Sequence, residues 1–302
     1  MARRILRTTL LAVTLITAAR FAALSVKASA ATGLSVYPLR QSPDDLEITG
    51  IAGQPREYLR YADLTRLPQV VKTINGGPDF NNVTMTISGI TLETLQKTLG
   101  VPVSSDLIDA LCSDNYRSQL PADYIAEHHP ILVLAVDGLK PAAWAVKAHQ
   151  DDPGPYFIAY ASFVPAFHVL AHADQPALPT NVVRINFSTR SKTFGPITPP
   201  AAFVSNEQVQ QGFTIAKQNC MRCHFQGSVG GTKSGRDWLA LSRRAHDEPD
   251  YFARYTLNPK SVNRHAQMPG NPHYDAATAA ALTAYFRTFS ETPPAGKGSP
   301  KP

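Results

Sequence analysis

The sequence contains few cysteines, three among its 302 residues. This number argues against a disulfide scaffold, which small exported domains build from four or more cysteines. Beyond the first 30 residues, no run of 18 apolar residues offers a candidate membrane-spanning helix. Charged residues make up only 17% of the chain, and no long run of Lys and Arg occurs. These absences predict a mature chain without a transmembrane span and without nucleic-acid binding.

The apolar residues are sufficient for folded cores. They amount to 43% of the chain, and a chain of this length has room for about two domains. The formal net charge of +6 is unevenly distributed, because the first 30 residues contain five basic residues and no acid. Residues 31–200 have four more acidic than basic residues, whereas residues 201–302 have five more basic than acidic residues. The mature chain is therefore polarised rather than basic throughout.

The first 30 residues have the pattern of an export signal. Three arginines among the first seven residues precede an apolar run at positions 10–19, and Ala28-Ser-Ala30 matches the small-residue pattern of a cleavage site. We predict cleavage after Ala30 and a soluble mature protein in the periplasm or otherwise outside the cytoplasm. A retained membrane anchor is the alternative, although Arg20 ends the run at about half of the roughly 20 residues that span a bilayer.

Two of the three cysteines lie in the sequence Cys220-Met-Arg-Cys223-His224. This spacing is the attachment sequence of c-type haem, in which two thiols form thioethers and the adjacent imidazole binds the iron. The residues also allow a structural disulfide, a thioredoxin-like redox pair or half of a zinc site. A zinc site needs further soft ligands, and Cys112 lies more than a hundred residues upstream. We therefore predict one covalent haem c on Cys220 and Cys223, with His224 as an axial ligand of the iron.

The second axial ligand is expected downstream of the motif. Pro269-Gly270 follows Met268 and forms a stiff turn that can hold its thioether in a fixed position. We predict Met268 as the second iron ligand and His265 as the runner-up, although Met268 could also be an ordinary packed side chain. The residues downstream of the motif that could bind the iron are His246, His265, Met268 and His273.

Two helices are predicted around the motif. Ser205 is a plausible N-cap, and the helix that it starts would deliver Cys220 to the haem. Residues 275–287 are rich in strong helix formers. Gly212 has no side chain and would let the two helices approach closely.

Residues 203–290 resemble a class I cytochrome c domain. Cys220, Cys223 and His224 match the haem-binding motif of that family, and Met268 matches its distal ligand. Ala216 departs from the pattern, because the family commonly has an aromatic residue four positions before the first cysteine. The resemblance implies an all-α domain that transfers single electrons through one haem.

The residues before this segment predict a different domain, in which strands dominate. Residues 91–99 form an amphipathic pattern followed by Gly100, which indicates a short helix. The class is mixed α+β. The strand candidates are residues 46–51, residues 83–88, Ile131–Val136 before the Asp137-Gly138 turn, residues 156–161, and Val182–Ser188.

This domain is similar to the molybdopterin-binding domain of sulfite-oxidase-type oxidoreductases, over about residues 44–190. That family holds molybdenum through a cysteine upstream of the piece matched by Ser88-Gly-Ile-Thr-Leu92, but residues 70–87 contain no cysteine. The resemblance therefore implies a mixed sheet that has lost its molybdenum thiolate. The matching pieces are Leu46-Glu-Ile-Thr-Gly50, Asp63-Leu-Thr-Arg-Leu-Pro68, Ser88-Gly-Ile-Thr-Leu92, Ser113-Asp-Asn-Tyr116 with Leu120-Pro121, and Val136-Asp-Gly138.

The remaining thiol and histidines allow two interpretations each. Cys112 is expected to be a small buried hydrophobe rather than a reactive or metal-binding thiol. The pair His128-His129 is expected in a solvated loop, with metal binding as the alternative. His168 and His172 are four residues apart and could share a helical face as ligands, but Pro165 shortens any helix there.

Together these patterns predict an α+β domain followed by an all-α cytochrome c domain. The expected function is an exported monohaem cytochrome that passes single electrons between redox partner proteins, with molybdopterin not expected. The alternative is a haem-containing, molybdenum-dependent dehydrogenase of the sulfite oxidase type, and a haem-based sensor is a more distant possibility. The predicted boundaries are a signal peptide at 1–30, the first domain at 31–195, a Pro-rich linker at 196–202, the cytochrome at 203–290 and a disordered tail at 291–302.

Overall fold

A computed structural model of the chain describes residues 27–28, 34–161, 179–271 and 273–289. Several predictions fall outside these ranges. They are the signal peptide except for residues 27–28, the cleavage site at Ala30, the pair His168 and His172, and the C-terminal tail. Among the described residues, no helix is long and apolar enough to cross a membrane.

The chain begins with short strands and ends with helices. The strands are β1 (Lys27–Ala28), β2 (Ser35–Val36), β3 (Leu46–Thr49), β4 (Glu57–Leu59), β5 (Val70–Asn75), β6 (Thr84–Thr91), β7 (Leu107–Cys112), β8 (Arg117–Pro121), β9 (Ile131–Val136), β10 (Phe157–Ala159), β11 (Val182–Ser188), β12 (Phe225–Gln226) and β13 (Val229–Gly230). The α-helices are α1 (Tyr61–Leu64), α2 (Leu92–Thr98), α3 (Ala122–His128), α4 (Pro141–Ala148), α5 (Arg190–Phe194), α6 (Glu207–Gln218), α7 (Trp238–Asp247), α8 (Pro249–Leu257), α9 (Pro259–Val262) and α10 (Ala276–Arg287). Short 3-10 helices lie at Pro78–Phe80, Gly195–Ile197, Ala201–Phe203 and Cys220–Arg222.

Two sheets organise the N-terminal part. The five-stranded sheet has the order β4-β3-β11-β7-β8, in which β3 and β11 are parallel and the other neighbours antiparallel. The four-stranded sheet has the order β10-β9-β6-β5 and is antiparallel throughout. The predicted mixed sheet is therefore confirmed.

Apolar side chains between and outside the sheets form the N-terminal cores. Ile48 and Ile185 of the five-stranded sheet share one buried cluster with Leu132 and Ile158 of the four-stranded sheet. A second cluster, which includes Trp144 of α4, covers other residues of the four-stranded sheet. The burial of this sheet on both faces explains why β9 is a continuous apolar run rather than an alternating pattern.

Local signals in the sequence explain where these elements begin and end. Strand β9 ends at Val136, and Asp137 and Gly138 follow with φ angles of 48° and 78° in the predicted turn. The side chain of Thr91 accepts a hydrogen bond from the Thr94 N–H and caps α2. Gly100 follows this helix with a φ angle of 63°, which glycine adopts without steric cost.

The first and last long helices of the C-terminal part, α6 and α10, cross in close contact. A Cβ atom at Gly212 would lie 2.1 Å from the backbone oxygen of Ala281. The predicted close approach at Gly212 is therefore confirmed. Aromatic rings complete the core, since Trp238, Tyr285 and Phe286 contact one another.

Three sequence predictions for this part need correction. Asn206 rather than Ser205 caps α6, because its side chain accepts a hydrogen bond from the Val209 N–H. The segment is also not helical throughout, since β12 and β13 form a short hairpin just after the cysteine motif. Ile197, in the predicted linker, is buried in the C-terminal core, and its carbonyl accepts a 2.5 Å hydrogen bond from the Tyr285 hydroxyl. The Pro-rich stretch is thus packed rather than a free spacer.

Candidate functional site

The cysteine motif lies on a tight turn directly after α6. Residues Cys220–Arg222 form a single 3-10 turn, and the N–H groups of Cys223 and His224 both donate to the Cys220 carbonyl, at 3.2 and 2.9 Å. Both thiols are free and half-buried. The helix and the turn therefore place the two thiols and the imidazole on one short segment, which is the donor set that covalent haem attachment requires.

His224 is oriented by a hydrogen bond to the backbone. Its Nδ1 atom lies 3.1 Å from the carbonyl oxygen of Arg236 and 2.9 Å from the hydroxyl of Ser234. Because a carbonyl oxygen only accepts, Nδ1 carries the ring proton in this arrangement and Nε2 keeps its lone pair. Burial lowers the pKa of His224, which favours the neutral imidazole that binds metals. Such a bond from the other ring nitrogen to a carbonyl is typical of metal-ligating histidines.

The segment at residues 229–237 holds the motif from one side. The Gly231 N–H donates to the Met221 carbonyl at 2.8 Å, and the Ser234 hydroxyl donates to the Cys223 carbonyl at 2.8 Å. A Cβ atom at Gly231 would lie 2.0 Å from the Arg222 backbone oxygen and 2.9 Å from that of Asn115. Glycine at this position therefore permits three backbone segments to meet.

The candidates for the second iron ligand differ in their surroundings. Met268 is half-buried, whereas His265 is exposed and its Nε2 atom accepts a 2.9 Å hydrogen bond from Arg264. His246 and His273 are also exposed. The amide of Asn219, just before the motif, donates to the Tyr274 hydroxyl at 2.9 Å and connects the motif with the segment that follows Met268.

The electrostatics of the thiols differ from those of a thioredoxin-like pair. Burial raises the pKa of Cys220 to about 12 and also raises the pKa of Cys223. Reactive dithiols have lowered thiol pKa values, since the thiolate is the attacking species. The described surroundings therefore disfavour the redox-pair interpretation of the motif. The two free thiols and the oriented imidazole are groups that fit a covalently held haem.

The turn between β7 and β8 contacts the segment beside the motif. The ammonium of Lys233 lies 2.5 Å from the carboxylate of Asp114. The Thr232 N–H donates to the Asn115 carbonyl at 3.1 Å. Sequence reasoning missed this junction, because periodicity and motif spacing do not reveal which distant loops meet.

The other candidate residues lie outside the motif sequence and have protein surroundings of their own. Cys112 is 3% exposed in β7, as predicted for a small buried hydrophobe, and burial raises its pKa to about 12. His129 lies 2.6 Å from a carboxylate oxygen of Glu93, while the His128 ring packs 4.5 Å from the ring of Tyr124. These contacts give the two neighbouring histidines separate protein partners.

Comparison with known proteins assigns the chain to no family. No family model matches the chain. No curated protein matches it either. One similar solved structure is the sulfane dehydrogenase SoxCD from Paracoccus pantotrophus, with 16% identity and a TM-score of 0.33. The match covers 51% of this chain and 42% of that chain, so it spans less than half of the known structure.

Proposed function

We propose that the chain is an exported monohaem c-type cytochrome that transfers single electrons between redox partner proteins. The observation that carries this proposal is the arrangement at His224. Its Nδ1 atom is engaged by the Arg236 carbonyl, so Nε2 is left for the iron, and two free thiols stand on the same turn. Five consecutive residues would thus provide both thiols for haem attachment and one nitrogen ligand for the iron.

Each residue of the motif has a distinct task. The Cys220 and Cys223 thiols would hold the haem covalently, and a bound haem would supply one-electron iron chemistry. The Arg236 carbonyl and the Ser234 hydroxyl keep the His224 ring in one orientation. A fixed ring limits the reorganisation that accompanies a change of charge at the metal, which suits electron transfer.

The N-terminal part is proposed to dock the cytochrome or a partner protein rather than to hold molybdenum. Cys112 is the only thiol between residues 31 and 200, and it is buried in the sheet with a raised pKa. A neutral, enclosed thiol is a poor metal ligand, because the thiolate is the form that binds. The contacts of Asp114 and Asn115 with the segment beside the motif support a docking role.

Metal analysis tests this proposal on the purified full chain. Expressed in a host that matures c-type cytochromes, the protein is expected to contain about one iron per chain and no stoichiometric molybdenum. Mass spectrometry of the metals provides the measurement. Stoichiometric molybdenum beside the iron would support the dehydrogenase alternative instead, and a chain without iron would refute the cytochrome.

The proposed second ligand gives a separate prediction. Met268→Ala should leave the haem attached but open the iron to carbon monoxide. It should also lower the reduction potential, because a thioether ligand favours ferrous iron. Visible spectra with and without carbon monoxide, together with a redox titration, measure both effects. His265→Ala is the matched control and should behave as the unmodified protein. If His265→Ala instead opens the iron to carbon monoxide and Met268→Ala behaves as the unmodified protein, the ligand is His265.

A further inference from the structure

A cleft of about 570 Å³ lies between the N-terminal part and helix α6. One side is formed from the end of β8 and from α3, and α5 contributes Phe194; the residues of β8 and α3 are Gln119, Pro121, Asp123, Tyr124 and Glu127. The opposite side is formed by the last turns of α6 and by Arg222 of the cysteine motif. This volume is in the usual range for a small-molecule site.

Lys217 is the central charged group of this cleft. It is half-buried, and its ammonium lies 4.6 Å from the centre of the Phe213 ring and 5.6 Å from that of Phe194. No carboxylate of the described residues lies within 4.0 Å of this ammonium. Burial lowers the pKa of Lys217, the nearby Arg190 lowers it further, and the attraction of Asp123 offsets this only in part.

The other charged residues of the cleft, two acidic and two basic, do not cancel the positive charge of Lys217. Asp123 is in direct contact with Arg190 and is neutralised by it. Glu127 lies at the rim with a side chain that is 67% exposed. Arg222 also lines the cleft. The lining therefore contains three basic and two acidic side chains, and among them Lys217 has a pKa that burial lowers.

The walls around Lys217 are aromatic. The rings of Phe194 and Phe213 both lie near its ammonium, and Tyr124 lines the same cleft. Rings of this kind gain from contact with a second planar ring, in stacked or edge-to-face geometry. A ligand that matches both features carries a carboxylate for Lys217 and an aromatic body for the phenyl rings.

We propose that this cleft binds an aromatic carboxylate, with its carboxylate on Lys217 and its ring beside Phe194 and Phe213. The ligand would lie against the last turn of α6, directly before Cys220. Binding requires the two sides of the cleft but not the haem itself, so it can be tested apart from electron transfer.

Equilibrium dialysis of the purified full chain provides the test, with 2-naphthoate as the probe and its uncharged amide, 2-naphthamide, as the comparison. The two probes have the same ring system and differ in charge. We expect saturable binding of 2-naphthoate and affinity lower by about tenfold or more for the amide, as expected for loss of a charge-assisted contact. This comparison needs no mutation and does not depend on whether a variant folds.

Two lysine variants locate the site. Lys217→Met keeps a long apolar side chain between the phenyl rings and should weaken 2-naphthoate binding by about tenfold or more. Lys260→Met removes an exposed lysine of α9 that does not line the cleft, and it should leave the affinity unchanged. Equal affinity for acid and amide, equal affinity of the two variants, or no saturable binding of 2-naphthoate would each overturn the proposal.

Discussion

Replacement of Cys220 and Cys223 together by alanine is expected to abolish covalent haem attachment completely. The two thiols are the only groups of the motif that can form thioethers, and the remaining cysteine is enclosed in β7. A haem stain after denaturing electrophoresis and the intact mass of the purified chain measure the loss. The unmodified protein should keep its haem under the same conditions and through extraction with acid and acetone.

Cys112→Ala is the matched control for this double variant. It removes the third thiol of the chain, which lies outside the motif and is buried in β7, and should leave one covalent haem in place. Haem that leaves the unmodified protein on acid-acetone extraction would contradict covalent attachment. Haem that remains covalently bound in the double variant would contradict the assignment to Cys220 and Cys223.

Gly212→Val is expected to destabilise the C-terminal part by about 3 kcal/mol or more, the upper range for overpacked sites. Even the single Cβ of Gly212→Ala would lie 2.1 Å from the Ala281 backbone oxygen, so helices α6 and α10 must separate. At an exposed position in the middle of a helix, replacement of glycine by alanine would instead stabilise the folded state by about 1 kcal/mol. The sign of the Gly212→Ala effect therefore reports directly on the helix crossing.

Urea unfolding followed by circular dichroism measures both Gly212 variants. Gly270→Ala is the control, because a Cβ at Gly270 meets nothing within 4 Å and its φ angle lies outside the left-handed region that favours glycine. This control should leave stability unchanged or raise it by about 0.4–1 kcal/mol. A Gly212→Ala variant as stable as the Gly270→Ala variant would show that the two helices do not depend on their close approach.

Local patterns in the sequence were sufficient for many elements of the fold. The apolar run of β9 and the turn at Asp137 and Gly138 were predictable, because buried strands consist of apolar residues and an Asp-Gly pair is typical of a turn with positive φ angles. Helices α2 and α10 follow from apolar spacing and helix formers. Gly212 was recognisable because its distance from Cys220 placed it on the helix that carries the motif.

Features that depend on contacts between distant segments were not predictable in this way. Asn206 and Ser205 are both good N-caps, so residue preference could not choose between them. Nothing in the Pro-rich stretch marked Ile197 for burial, since its partner Tyr285 is 88 residues away. The motif identified Cys220, Cys223 and His224 as candidates, but the carbonyl of Arg236 and the cleft at Lys217 arise only from tertiary structure.

The crowded position of Gly231 limits how freely the two halves of this chain could be exchanged with those of other proteins. Its missing side chain leaves space for the backbone oxygens of Arg222, in the cysteine motif, and of Asn115, in the turn after β7. A graft of a foreign cytochrome onto this N-terminal part would need glycine at that position and a loop of the same length. The two halves are therefore matched at this position, since one residue has to satisfy both.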